Sequence, residues 1–281
     1  MLASARSPAE TLDCEVVQTR SGAQAMRDKL SGELMHPVGP LIESQRLYVE
    51  SSHLALRLQQ SLGDALVLWD VGLGAASNAA AAWRCADQLS GPRRLLRILS
   101  FDRSLGALEL ALRPENNSAF GLAGKVEQAA RELLERGLAE SAHVAWELRC
   151  GELEVTLRDG RDAPADIVFW DPFSPKANPA LWTCGAFAAA RRGCREGATL
   201  HTYSGATSVR AALLLAGFAV GMGEPVSPGK FATCAATSIE ALRQPLTRRW
   251  FERLARSSAP FPTDAPSDAL ERIEALPQFA R

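Results

Sequence analysis

Lysine is scarce in this 281-residue chain: of 31 basic residues only Lys29, Lys125, Lys176 and Lys230 are lysine. Arginine is therefore the default cation, and a cluster of arginines means less here than in a balanced composition. An excess of either charge is also missing. With 31 basic against 32 acidic residues the net charge is -1, so a nucleic-acid partner would have to use a local patch. No uncharged apolar run approaches the roughly 18 residues of a membrane span. The most apolar stretch, 211–222, is short and follows Arg210, and the opening MLASARSPAE has no apolar core of a secretory leader. These absences lead us to expect a cytoplasmic protein with no membrane partner. The six cysteines form no C-x-x-C pair and the four histidines do not fall at ligand spacing beside them. No metal is expected, and the thiols read as free and at least half-buried, as suits a reducing compartment.

What is present is an ordinary globular composition, 47% hydrophobic and 22% charged, at a length of one large domain or two small ones. From about residue 65 short apolar runs alternate with helical periodicity, the signal of βαβ units. Strands are expected at 65–70, 95–102, 143–148, 167–171, 198–203, 218–222 and 231–236, with helices at 75–88, 105–112, 125–136, 179–191 and 207–216. The last two strands have no helix between them. The expectation is thus an α/β fold with a seven-stranded, mostly parallel sheet that ends in an antiparallel hairpin. Residues 1–60 read as a small extension with strands at 15–19 and 46–50, residues 61–238 as the main domain, and 239–281 as a C-terminal helix and tail. The Pro-rich SSAPFPTDAPSD, 257–268, reads as a linker.

The run LVLWDVGLGAASNAAAAW sets a glycine turn between an apolar strand and an alanine-rich helix, so backbone N–H groups at the helix start can face a ligand. The dinucleotide spacing G-x-G-x-x-G fails at Ser77. The spacing acid-x-G-x-G-x-G fits Asp70, Gly72 and Gly74, with Ala76 in the last place, and suits S-adenosylmethionine (SAM). Asp102 ends the next strand, where a carboxylate can accept both hydroxyls of a ribose; it could equally cap the following helix. Glu152 falls where an adenine edge would lie, or is a plain turn residue.

The most distinctive segment is DIVFWDPFSPKANPALW. A buried strand ends at Asp171 and opens into prolines, Phe173, Asn178 and Trp182. Asp171-Pro172-Phe173 is close in type to the Asp/Asn-Pro-Pro-aromatic loops of amino-group methyltransferases, where a carboxylate holds the substrate amine. Phe173 and Trp182 could stack on a base or pack locally.

Together SGELMHPVGPLIESQRLYVE, DVGLGAASN, DIVFWDPFSPKANPALW, TLHTYSGATSVRAALLLAGFAV and GKFA resemble, in that order, the MnmC methyltransferase family, the Rossmann-like class I SAM-dependent enzymes of tRNA wobble-uridine modification. The resemblance runs from about residue 31 to 236. It implies methylation of the aminomethyl nitrogen of 5-aminomethyl-2-thiouridine in tRNA. It places Asp70, Gly72, Gly74, Asn78, Asp102, Glu152 and Asp171 at the cofactor, and Asp171 and Phe173 at the reaction. Asn178, Trp182 and Lys230 then fall to the substrate. Outside the resemblance, Arg249, Arg253 and Arg256 are spaced to share one face and read as a tRNA-docking face or as a solvated helix, within a segment 243–256 that carries five arginines against one glutamate. The chain departs from the family pattern at Asp70 and Asp102, where glutamate is usual, and at Ala76, Glu152 and Phe231. The flavin domain of fused members does not follow, so no FAD is expected. Methylation of a small amine, or SAM binding without catalysis, are the competing expectations.

Overall fold

The computed structural model describes residues 13–60, 63–158 and 162–280; the opening MLASARSPAE lies outside them. Three short strands come first, β1 (Cys14–Gln18), β2 (Gln24–Asp28) and β3 (Leu34–Met35), forming a small antiparallel sheet in that order. A turn of helix, α1 (Pro40–Glu43), then runs into a π-helical stretch, Ser44–Glu50, and on to α2 (Leu54–Gln59). This corrects the strand expected at 46–50. Leu47, Tyr48 and Val49 are buried in succession, whereas a half-buried strand would alternate. A helical surface can turn such a run inward because it packs on α3 (Ser77–Gln88).

The main sheet holds β4 (Leu66–Val71), β5 (Leu96–Asp102), β6 (Leu138–Glu140), β7 (Val144–Cys150), β8 (Ala165–Trp170), β9 (Cys194–Thr202), β10 (Ala219–Ser227) and β11 (Lys230–Ala236). Their order is β10-β11-β9-β8-β4-β5-β7-β6. The central five run parallel, while β6, β10 and β11 are antiparallel to their neighbours. All seven expected strands form. The eighth, β6, has three residues with one buried, too few to show a period in the sequence.

Between the strands lie α3, α4 (Gly106–Ala111), α5 (Lys125–Arg136), α6 (Leu153–Arg158), α7 (Cys184–Arg192) and α8 (Thr207–Leu215). They cover both faces of the sheet, and buried side chains form one apolar cluster on each. Two short helices follow, α9 (Trp250–Ala255) and α10 (Ala269–Glu274). The Pro-rich segment expected as a linker is packed: Asp264 accepts from the backbone N–H groups of Cys184 and Gly185 at the start of α7. Gln278 then pairs with both backbone groups of Val220, and Phe279 is buried beside Trp250. Among the described residues no helix is long and apolar enough to cross a membrane.

Strand order sets the position of the site. From β4 the chain builds outward through β5 to β7, then returns to lay β8 on the other side of β4. The order reverses between β4 and β8, and a crevice opens there at the carboxyl ends of the strands.

Candidate active site

The loops after β4 and β8 meet at this reversal. Gly72 has φ +87, and a Cβ on it would lie 2.7–2.8 Å from backbone atoms of Asp171 and Pro172, so glycine lets the loops touch. Ala76 has φ +63 at the start of α3, a left-handed conformation that glycine adopts freely and that costs other residues about 1–2 kcal/mol. This is why a glycine suits a position where the chain has alanine.

A single cleft collects the backbone of Gly72 and Gly74 with Asp102, Glu152, Asp171, Phe173 and Asn178. The structure thus brings together seven of the residues singled out in the sequence. Asp102 accepts from the backbone N–H groups of Gly74 (2.9 Å) and Ser104 (3.2 Å). Burial raises its pKa, against the lowering effect of these N–H groups. Its contact with Ser104 is part of what a capping role would look like, yet the side chain still faces the cleft. Glu152 stands at the rim, 3.9 Å from Arg103, and both are largely exposed.

Other residues singled out in the sequence lie elsewhere. Asp70 is buried behind the loop and does not line the cleft; it accepts from Ser100 Oγ (2.7 Å), itself bonded by Trp146 Nε1. Burial pushes its carboxyl up to about 7. Asn78 is buried too, and its Nδ2 donates to Asp171 Oδ2 (2.6 Å). Its contact is with the reacting loop. Trp182 does not line the cleft: it is buried, donates to the Phe173 carbonyl (2.7 Å) and packs edge-on against Tyr203. Lys230 is exposed at the β10–β11 turn, and Arg249 and Arg253 are exposed at α9; none of the three lines the cleft. All six cysteines are free, but Cys150 is exposed.

The sequence reading missed the support of Asp171. Tyr48 Oη donates to its Oδ1 (2.6 Å). His36 Nε2 lies 2.9 Å from Oδ2. Tyr203 Oη donates to the Pro172 carbonyl (3.1 Å). The chain has two tyrosines, and both hold this loop; that scarcity was the available signal. The small sheet contributes too. Asp13, Cys14, Asp28, Leu30, Ser31 and Met35 line the same cleft as Asp102 and Glu152. Glu33 accepts from both the backbone N–H and the hydroxyl of Ser174, tying this sheet to the loop after β8.

The cleft fits SAM. Its glycine turn brings Gly72 and Gly74 to the cleft wall. An acceptor carboxylate ends β5, and five carboxylates against one arginine line the cleft, Asp13, Asp28, Asp102, Glu152 and Asp171 against Arg103. That charge suits a cationic sulfonium. Asp102→Ala should weaken SAM binding by about 1.5–3 kcal/mol, the range for hydrogen bonds to a charged group. Calorimetry that finds unchanged affinity would remove Asp102 from the ribose site. Among the described residues no group of three or more His, Cys, Asp or Glu side chains could hold a metal ion.

The fold is that of a class I SAM-dependent methyltransferase. Residues 125–238 match the family described as S-adenosyl-L-methionine-dependent methyltransferase. The chain is MnmC-like. It is 28% identical over 188 residues to the tRNA 5-methylaminomethyl-2-thiouridine biosynthesis bifunctional protein MnmC of Stutzerimonas stutzeri, across 63% of this chain and 28% of that protein. The chain therefore spans less than a third of that relative's length. The solved MnmC2 of Aquifex aeolicus superposes with a TM-score of 0.73 and 25% identity, covering 94% of this chain and 83% of that one. A spermidine synthase shares the fold at a TM-score of 0.50 and 11% identity, covering 84% of this chain and 73% of that one.

Proposed function

We propose that the protein is a SAM-dependent N-methyltransferase that converts the aminomethyl group of 5-aminomethyl-2-thiouridine at the tRNA wobble position to methylaminomethyl. The observation that carries this reading is the carboxylate of Asp171, held from behind by Tyr48 and Asn78 and facing the same cleft as the glycine turn. The MnmC relatives supply the substrate class. As a tRNA-modifying enzyme it would work in the cytoplasm.

When bound, SAM supplies a methyl group activated by a sulfonium. Gly72, Gly74 and Asp102 would hold it, with Glu152 near the adenine. Asp171 accepts an N–H bond from the substrate amine, aligns its lone pair and stabilises the positive charge that grows on nitrogen. Phe173 and Asn178, beside Asp171 in the cleft wall, contact the base. Mass spectrometry of wobble nucleosides from tRNA incubated with the protein and SAM tests the reading. Gain of one methyl by the aminomethyl nucleoside is expected; methylation of free small amines with the tRNA untouched would overturn the tRNA assignment.

For docking we take the arginines at α9. Arg249, Arg253 and Arg256 are all exposed and spaced to share one face. Reversing the three to glutamate should weaken tRNA binding and flatten its dependence on salt. Equal affinity in the triple variant would reject this face.

A further inference from the structure

Three side chains from separate segments converge on the Asp171 carboxylate: Tyr48 on Oδ1, Asn78 on Oδ2, and His36 at 2.9 Å from Oδ2. Asn78 does not titrate, and burial beside Asp171 raises the Tyr48 hydroxyl well above its ordinary range. His36 alone of the three can change charge near neutrality. It sits between β3 and α1 with φ +52, a backbone conformation that a non-glycine residue keeps only where its surroundings enforce it. The charged groups that bear on it come from three elements: Asp171 after β8, Glu43 in α1 and Asp70 on β4. All are acids. Burial pulls the imidazole pKa down, but these carboxylates, Asp171 first, outweigh it and the net shift is upward.

We propose that His36 is a positioning residue for Asp171: as an imidazolium behind the carboxylate it holds that negative charge in place and leaves its open side to the substrate amine. The inference rests on the methyltransferase reading above. In that reaction the nitrogen–carbon bond forms as the sulfur–carbon bond breaks with its electron pair kept by sulfur. Positive charge passes to the nitrogen, and a carboxylate beside it helps only while ionised. Glu43 offsets the charge that His36 brings, so the nitrogen still meets a net acidic wall.

Two measurements test this. The first is the NMR titration of the His36 imidazole in the protein without ligands, for which Asp171→Asn should lower the midpoint by roughly one unit or more. An unmoved midpoint, or one at or below the ordinary histidine value in the unaltered protein, overturns the proposal. The second is single-turnover methylation of the aminomethyl-bearing tRNA between pH 6 and 9, with SAM affinity and melting temperature recorded alongside. The free-amine fraction of the tRNA grows over this range for every variant; divided by it, the rate of the unaltered enzyme should fall as pH rises through the midpoint found by NMR. His36→Ala should be about 10–100-fold slower with unchanged SAM affinity. His36→Gln, which keeps an N–H donor without charge, should recover part of the rate and lose the falling limb. A His36→Gln profile that coincides with the unaltered one overturns the role of charge, whether or not His36→Ala folds. An unaltered enzyme inert toward that tRNA overturns the functional reading instead, and the titration then decides whether His36 and Asp171 are coupled.

Discussion

Asp171→Asn is expected to bind SAM as the unaltered protein does and to transfer the methyl group about 10²–10⁴-fold more slowly, the usual contribution of a group that moves or orients a proton. The local structure should survive. The amide that replaces the carboxylate can keep its oxygen toward the Asn78 amide and turn its own nitrogen to Tyr48, whose hydroxyl can accept as well as donate. What the variant loses is the negative charge beside the amine. A loss near the lower bound points to orientation, since the amide oxygen still accepts an N–H bond, and a loss near the upper bound points to proton transfer. If Asp171 only braces its loop, the variant melts earlier and keeps its rate per folded molecule. Single-turnover methylation measured beside the melting temperature separates the two outcomes.

Gly72→Ala should have the largest structural effect of any single methyl added to the site. The new Cβ would meet Pro172 N at 2.7 Å and Asp171 C and Pro172 Cα at 2.8 Å, all backbone, at φ +87. Neither loop can yield by a rotamer change. Left-handed strain and overpacking together amount to about 2–5 kcal/mol, and any relief must push the β4 and β8 loops apart, which opens the cleft and moves Asp171. We expect a fall of about 5–15 °C in melting temperature and more than tenfold weaker SAM binding. Gly137→Ala is the control, because φ there is +73 but the added Cβ would meet nothing within 4 Å. It should show the strain without the loss of binding. Equal SAM affinity in the two variants would mean that the loop contact does not shape the cofactor site.

The elements legible in the sequence were those whose burial is local and periodic. β4 has all six residues buried, and the helix expected at 125–136 forms over Lys125–Arg136 with its apolar positions inward. The glycine turn and Asp171 could be read because they follow such strands directly, so strand ends alone placed Gly72, Gly74, Asp102 and Asp171 at one edge of a sheet. Where a residue's role depends on something far along the chain, local pattern was silent or misleading. Arg46–Glu50 looked like a strand because successive apolar residues carry no helical period over so short a span. Only the packing of Tyr48 against Phe169, rings 5.3 Å apart, turns its hydroxyl to a carboxylate 123 residues away. Asp70 and Asp102 lie near the ends of neighbouring strands, yet one is sealed beside Ser100 and Trp146 and the other lines the cleft. Both leave the same face of the sheet, since Asp70 pairs with Ser100 and Asp102 lies two residues further on; the choice is made by distance along the strands, which leaves Asp102 at the open end and Asp70 under cover. The Pro-rich tail has the composition of a linker, and it is ordered by partners it meets only in the folded chain, the start of α7 and the edge strand β10. Sequence determined the strands, their alternation with helices and the residues at their ends, because those follow from neighbouring side chains. The tertiary structure alone decided which of those residues share the cleft and which hold Asp171, because burial and hydrogen bonding between distant segments exist only once the sheet has assembled.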